Sequence, residues 1–538
     1  MNKISLPRWL ENIGLNCLFL ILSVAIILTS VAFWMYAYYP RMGHDYSAWL
    51  PQIFESQLAW KEYGRIVYDF SPFRCLGLPT YSHPNTLQLS LFHFIGLLTN
   101  EVMAIYLVLS FLLVFSFLGA FLLCRKFGLE RAVSILLALG WILQGWIVVR
   151  TLVGHVPFIH LALAPWILFA LISKRNYWWL LATAFWLSHM LYSAAFYTNI
   201  ILFISVALSL LVLYFLRMNS KILEWRTVFQ NAALVIAAVA LISLPKVVGS
   251  LDFLALFPRE IALEHASATG SLVYILANLF WPFPYNINRL TGWSYGPWEA
   301  YQFLMPLLFP ILAVVLFRHR STINWQRILL VFSVLIAISL ILVSGALGGL
   351  FSMVPILKSL HVNPRWNAII LLPMFLLVIL VIRQTGFLSA PDRATRLGLV
   401  FFFLSFSVTP LVFVPFNPSW SLYPYKAGIN PEYERVGFCY EPIFGYRLET
   451  FPGMRGGMDW LREPLRDPRC LLKSGHCRPG TALKDQLSVV KLASFATEQP
   501  NWFVRVFRPF SLVIYLVAFV AMIGTFLKMA VLSRNSCK

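Results

Sequence analysis

The sequence predicts an all-α polytopic membrane protein of about twelve transmembrane helices, and three observations predict it. First, 59% of the 538 residues are hydrophobic and only 12% are Asp, Glu, Lys or Arg, about half the charged share of a soluble domain. Second, apolar runs of the roughly 20 residues needed to cross a bilayer recur along the chain. Third, basic residues gather in small groups at every second connection between those runs, the pattern that orients a membrane protein. The net charge of +20 follows from that pattern, so nucleic acid is not an expected partner.

The first run, from Ile13 to about Tyr38, is longer than the apolar part of a cleavable signal and ends in the aromatic stretch WMYAYYP. It is therefore read as a retained first helix. Further spans are expected near 101–124, 131–149, 156–172, 177–193, 196–216, 228–247, 299–317, 328–346, 366–383, 397–415 and 509–530. The break between 177–193 and 196–216 rests only on SHMLYS.

With the N-terminus inside, the cytoplasmic connections carry Arg125, Lys126 and Arg131; Lys174 and Arg175; Arg217, Lys221 and Arg226; Arg318, Arg320 and Arg327; and Arg383, Arg393 and Arg396. The tail adds Lys528, Arg534 and Lys538. Both termini are thus expected in the cytoplasm.

The chain then divides into a transmembrane domain (1–415) with a long first outer loop (39–100), a polar outer segment or small domain (416–508), and a last helix with its tail (509–538). Within the outer segment, CLLKSGHC closes a tight loop if Cys470 and Cys477 are oxidised, which suits an oxidising exterior; two unpaired thiols are the alternative. No Asn-x-Ser/Thr acceptor with a permitted middle residue occurs, which favours a bacterial envelope, and hence the inner membrane, over the endoplasmic reticulum.

Acids are scarce, and an ionisable group at membrane depth is a functional candidate by default. Asp45 stands out, in YPRMGHDYSAWLP just past the outer end of the first helix. A carboxylate there faces both a lipid head group and a water-borne acceptor. The bland alternative is a loop acid capping the helix that starts at Tyr46. Residues 87–99 are apolar but too short to span, and read as an interfacial helix.

A first outer loop that opens with Gly43-His44-Asp45, continues through Gly77-Leu78-Pro79 and ends in a shallow apolar helix resembles the GT-C class of polytopic glycosyltransferases. LVGHVPFIHLALAPW (152–166), GPWEAYQFLMPLLFPIL (296–312) and LKSLHVNPRWNAIILLP (357–373) are similar, in order, to segments of its bacterial YfhO-like members. The resemblance covers about 13–385 and leaves out 416–508.

It implies sugar transfer from a polyprenyl-phosphate donor to a glycan, lipid or protein acceptor outside the cytoplasm. Asp45 matches the first-loop acid that serves as general base in the family. Arg365, with Lys358 and His361 nearby, matches the cations that hold the lipid phosphate. Glu299 matches the acid of the central-helix motif, where it meets a sugar hydroxyl or takes a second acid–base role. The family's acidic pair is replaced here by His44-Asp45, so no cofactor is expected. A divalent metal would need His44, Asp45 and an outer histidine such as His155, whose simpler reading is a hydrogen-bonded interfacial residue. Arg150 and Arg365 both lie on the outer side, against the charge bias, and a snorkelling helix-end arginine is the plain account of each. The competing functions are a transporter or flippase of a lipid-linked saccharide, whose usual internal repeats are missing here, and a polymerase, ligase or non-catalytic envelope-assembly protein.

Overall fold

The computed structural model describes residues 15–36, 41–43, 45–64, 66–67, 70–71, 78–216, 223–256, 266–280, 299, 325–353, 362–385, 422–424 and 502–535. The chain opens with α1 (Leu15–Tyr36), a short strand β1 (Arg41–Gly43) and α2 (Tyr46–Tyr63). The small strands β2 (Phe70–Ser71) and β3 (Leu78–Pro79) precede α3 (Leu91–Leu98) and the long α4 (Glu101–Lys126). Next come α5 (Arg131–Ile142), α6 (Gly145–Val153), α7 (Val156–Ile159), a 3-10 turn (His160–Leu163) and α8 (Ala164–Ile172). Then follow α9 (Tyr177–Tyr192), α10 (Phe196–Phe215), α11 (Trp225–Leu256), α12 (Ala268–Phe280), α13 (Trp325–Val343) and α14 (Gly348–Ser352). A 3-10 segment (Asn363–Ile370) leads into α15 (Leu371–Thr385), and β4 (Leu422–Pro424) and α16 (Trp502–Asn535) complete the described elements.

Six of these helices are long and apolar enough to cross a membrane, and a seventh span results if α5 and α6 count as one bent span. The protein is a multi-pass, mainly helical membrane protein. The expected spans near 299–317 and 397–415 fall outside the described residues, Glu299 apart. The polar segment 416–508 does too, apart from β4 and the first turns of α16, which begins at Trp502 rather than at 509.

Local chemistry explains the helix ends. Asn100 caps α4 by accepting from the Met103 N–H at 2.8 Å, while Glu101 in its first turn and Arg125 and Lys126 in its last oppose the helix dipole. Asn176 caps α9, and Ser90 caps α3, which falls inside the expected interfacial stretch.

Two expected spans are not continuous. The 131–149 run bends by 40° between α5 and α6, and the 156–172 run is interrupted by the 3-10 turn. Ala194, with φ of 60°, marks the break that SHMLYS suggested.

Helix α4 packs against α1, α5 and α8. A Cβ on Gly119 would lie 2.5 Å from Cβ of Trp166, so the glycine lets α4 and α8 approach closely, as small residues do between membrane helices. The 363–384 span is 94% buried, whereas the spans of α11, α13 and α16 are 33% buried. The first is interior. The others present Phe229, Ile236, Leu329, Leu330, Val513 and Val520 outward, an apolar exterior suited to lipid. Antiparallel pairing of β1 with β4 joins Met42 to Tyr423 and so ties the first loop to the segment before the last helix.

Candidate functional site

Two motifs far apart in the chain are stitched together at one turn. After Val153 the backbone turns left-handed at Gly154, with φ of 84°. A Cβ there would lie 2.5 Å from the Tyr46 nitrogen, so glycine alone fits both the turn and the neighbour. Across this contact the Asp45 N–H donates to the Val153 carbonyl at 3.0 Å. The Tyr46 hydroxyl donates to the Thr151 carbonyl, and the Trp49 indole N–H to the Gly154 carbonyl at 2.8 Å.

Asp45 therefore stands at the start of α2, yet its side chain makes no capping hydrogen bond. Its Oδ2 lies 2.9 Å from Nε2 of His155 instead. The helix-cap account of Asp45 is thus set aside by geometry.

From His155 the polar contacts run inward. Arg150 donates through Nη1 to Nδ1 of His155 and through Nη2 to Oε2 of Glu299 at 2.7 Å. A guanidinium can only donate, so Nδ1 of His155 must be the bare nitrogen and Nε2 must carry the hydrogen directed at Asp45. His155 is then the neutral tautomer, with its Nε2–H given to the Asp45 carboxyl. Burial pushes the His155 imidazole down to about 4, with Asp45 pulling the other way, in keeping with that tautomer.

Glu299 meets a second arginine. Nε of Arg365 donates to its Oε2 at 3.0 Å and Nη2 to its Oε1, the two-pronged fork that arginine forms with carboxylates. The Phe158 ring lies under both cations, 5.2 Å from Cζ of Arg150 and 4.4 Å from Cζ of Arg365. The Trp146 ring lies 4.5 Å from Arg150. The Tyr274 hydroxyl is within reach of the Glu299 and Pro364 carbonyls, at 3.4 and 3.3 Å.

The result is one line of charge, Asp45–His155–Arg150–Glu299–Arg365. Its middle is dry and its ends are not: the Arg150 side chain is 0% exposed, Asp45 10% and Arg365 21%. A fully buried guanidinium is tolerable here because a carboxylate offsets its charge and, with an imidazole, accepts from Nη2 and Nη1.

Four residues singled out in the sequence (Asp45, His155, Glu299 and Arg365) meet here. His44, Lys358, His361, Cys470 and Cys477 lie outside the described residues. Arg150 is no snorkelling helix-end cation but the centre of the line. Its only sequence signal was a charge on the side that the basic clusters avoid. Trp146, Phe158 and Tyr274 carried no signal beyond aromaticity. Among the described residues no group of three or more His, Cys, Asp or Glu side chains is gathered to hold a metal ion.

No family model matches the sequence, and no curated protein matches it. Among solved structures the chain is similar to the mycobacterial arabinofuranosyltransferase AftD, seen by single-particle cryo-EM, at 14% identity and a TM-score of 0.40 over 74% of this chain. The chain spans 27% of the length of that protein, and a likeness this slight carries no argument about fold or function.

Proposed function

We propose that the protein is a GT-C-like glycosyltransferase of a bacterial inner membrane, moving a sugar from a polyprenyl-phosphate donor to an acceptor hydroxyl outside the cytoplasm. The observation that carries the reading is the Asp45 carboxylate, held away from its helix cap and joined through His155, Arg150 and Glu299 to the partly exposed Arg365. A base and a phosphate-binding cation at the two ends of one rigid line is what such a transfer requires.

In this reading the acceptor oxygen forms its bond to the anomeric carbon while the bond from that carbon to the phosphate oxygen breaks. The acceptor proton goes to Asp45, and the polyprenyl phosphate leaves with the electron pair. Arg365 faces the phosphate, where a guanidinium fork stabilises the charge that builds on the leaving oxygens. Glu299, with both oxygens occupied by guanidinium donors, suits holding Arg365 and Arg150 in place better than exchanging protons. His155 keeps one carboxylate oxygen of Asp45 fixed.

The test uses purified protein in vesicles, a labelled polyprenyl-phosphate sugar and a mixture of envelope acceptors. Asp45→Asn keeps the shape and removes the base, so transfer should fall by about 10²–10⁴-fold with donor binding retained. Transfer at the wild-type rate would remove Asp45 from the reaction. Labelled saccharide crossing the vesicle wall without being transferred would make the protein a flippase.

A further inference from the structure

A histidine beside a carboxyl group is drawn toward a second proton, which would make it the counter-ion of that group. The two then form an ion pair, and the carboxyl group is a poorer base for it. At His155 the second proton has nowhere to go. Its Nε2 lies 2.9 Å from Oδ2 of Asp45, and its Nδ1 accepts from Nη1 of Arg150. A guanidinium has no acceptor and keeps its protons, so a hydrogen on Nδ1 would point at a hydrogen of Arg150.

Arg150 is not placed to step aside. Its Nη2 donates to Oε2 of Glu299 at 2.7 Å, and its side chain is fully buried. The Trp146 and Phe158 rings lie 4.5 and 5.2 Å from its Cζ. The turn that carries both residues is closed by the His155 N–H, which donates to the Arg150 carbonyl at 2.8 Å. The imidazole is fixed as well, because turning the ring over would set carbon atoms against Asp45 and Arg150 and lose both contacts.

Further from His155 stand Glu299, Arg365, Tyr274 and Tyr46, and each is engaged elsewhere. Both oxygens of Glu299 accept from Arg365. The Tyr274 hydroxyl faces the Glu299 and Pro364 carbonyls, and the Tyr46 hydroxyl donates to the Thr151 carbonyl.

We infer that Arg150 is a positioning residue for Asp45 and acts through His155: it holds the imidazole as a neutral N–H donor and so leaves Asp45 as the proton acceptor of the pair. What Asp45 then does with that proton rests on the glycosyl-transfer reading; the state of His155 does not. Burial brings the imidazole down to about 4 against the pull of Asp45, and Arg150 pushes in the same direction as burial. Taking Arg150 away therefore favours the second proton.

Protein labelled with nitrogen-15 histidine is studied in lipid by solid-state NMR, the His155 signal being the one lost in His155→Gln. Wild type should show a bare Nδ1 and a protonated Nε2 across about pH 5–8, where histidines ordinarily titrate. In Arg150→Met, Nδ1 should take up a proton within that range. Arg150→Gln, whose amide oxygen can accept, should do the same and serves where Arg150→Met does not fold. A proton on Nδ1 in the wild type, or a bare Nδ1 throughout in the folded variant, overturns the inference.

Turnover of a labelled polyprenyl-phosphate sugar gives the second arm. Arg150→Met should lower transfer by about tenfold or more where His155 is present. Beside His155→Gln, whose amide keeps an N–H for Asp45 and takes no further proton, the same change should cost less than about threefold. An equal fall in both backgrounds would place the effect of Arg150 at Glu299 and Arg365 and overturn its action through His155. A wild type that transfers nothing ends the glycosyl-transfer reading and leaves the spectra to decide on His155.

Discussion

Glu299 stands between two cations, and that position orders the effects of removing each partner. Glu299→Gln leaves Arg150 and Arg365 with no carboxylate between them, and Arg150 is wholly buried. Breaking a buried pair in this way costs about 3–5 kcal/mol. Arg365→Gln leaves the Arg150–Glu299 pair whole and removes a cation that already reaches solvent, so its cost should be visibly smaller. Melting temperatures of the two variants in one detergent give the order, and an Arg365→Gln variant that melts lower than Glu299→Gln would contradict it. The sequence made Asp45, His155 and Glu299 legible as polar groups where polar groups are costly. It could not make Arg150 legible as their link, because an ion pair spanning 149 positions leaves no local pattern.

The same limit shapes what could be read of the elements. Hydrophobic runs located the spans well, since the 101–124 stretch became α4 and the 87–99 stretch contains α3. Periodicity did not show the breaks, because a bent or 3-10 turn is as apolar as the helix on either side. The connection between the expected spans 131–149 and 156–172 was legible, but not its geometry: the left-handed turn at Gly154 is what sets Arg150 and His155 beside Asp45. The close approach of α4 and α8 is another feature decided by one residue. A methyl group on Gly119 would meet both the backbone and Cβ of Trp166 below 3 Å, and neither is the movable end of a side chain. Gly119→Ala should therefore force the helices apart and cost about 1–3 kcal/mol, the range for overpacking, despite the better helix propensity of alanine. Thermal unfolding in detergent measures it, and a variant as stable as wild type would show that the helices can slide.

For the whole molecule, the chemistry depends on which side of the membrane the line of charge faces. A polyprenyl-phosphate sugar used outside the cytoplasm requires Asp45 and Arg365 to open outward. The positions of the basic clusters predict the first loop outside and the Lys174–Arg175 connection inside. Both regions offer an exposed position for a reporter, Lys61 near the end of α2 and Arg175 before α9. In a variant freed of its seven cysteines, Lys61→Cys should react with a membrane-impermeant thiol reagent on intact cells. Arg175→Cys should react only after lysis. The β1–β4 pairing carries this assignment further, because it ties the first loop to residues 422–424, so the start of the 416–508 segment must share the side on which Lys61→Cys is labelled. Labelling of Arg175→Cys alone on intact cells would turn the site toward the cytoplasm. Donors and acceptors would then have to be cytoplasmic, and transfer to an envelope acceptor would be ruled out even with every contact of the Asp45–Arg365 line intact.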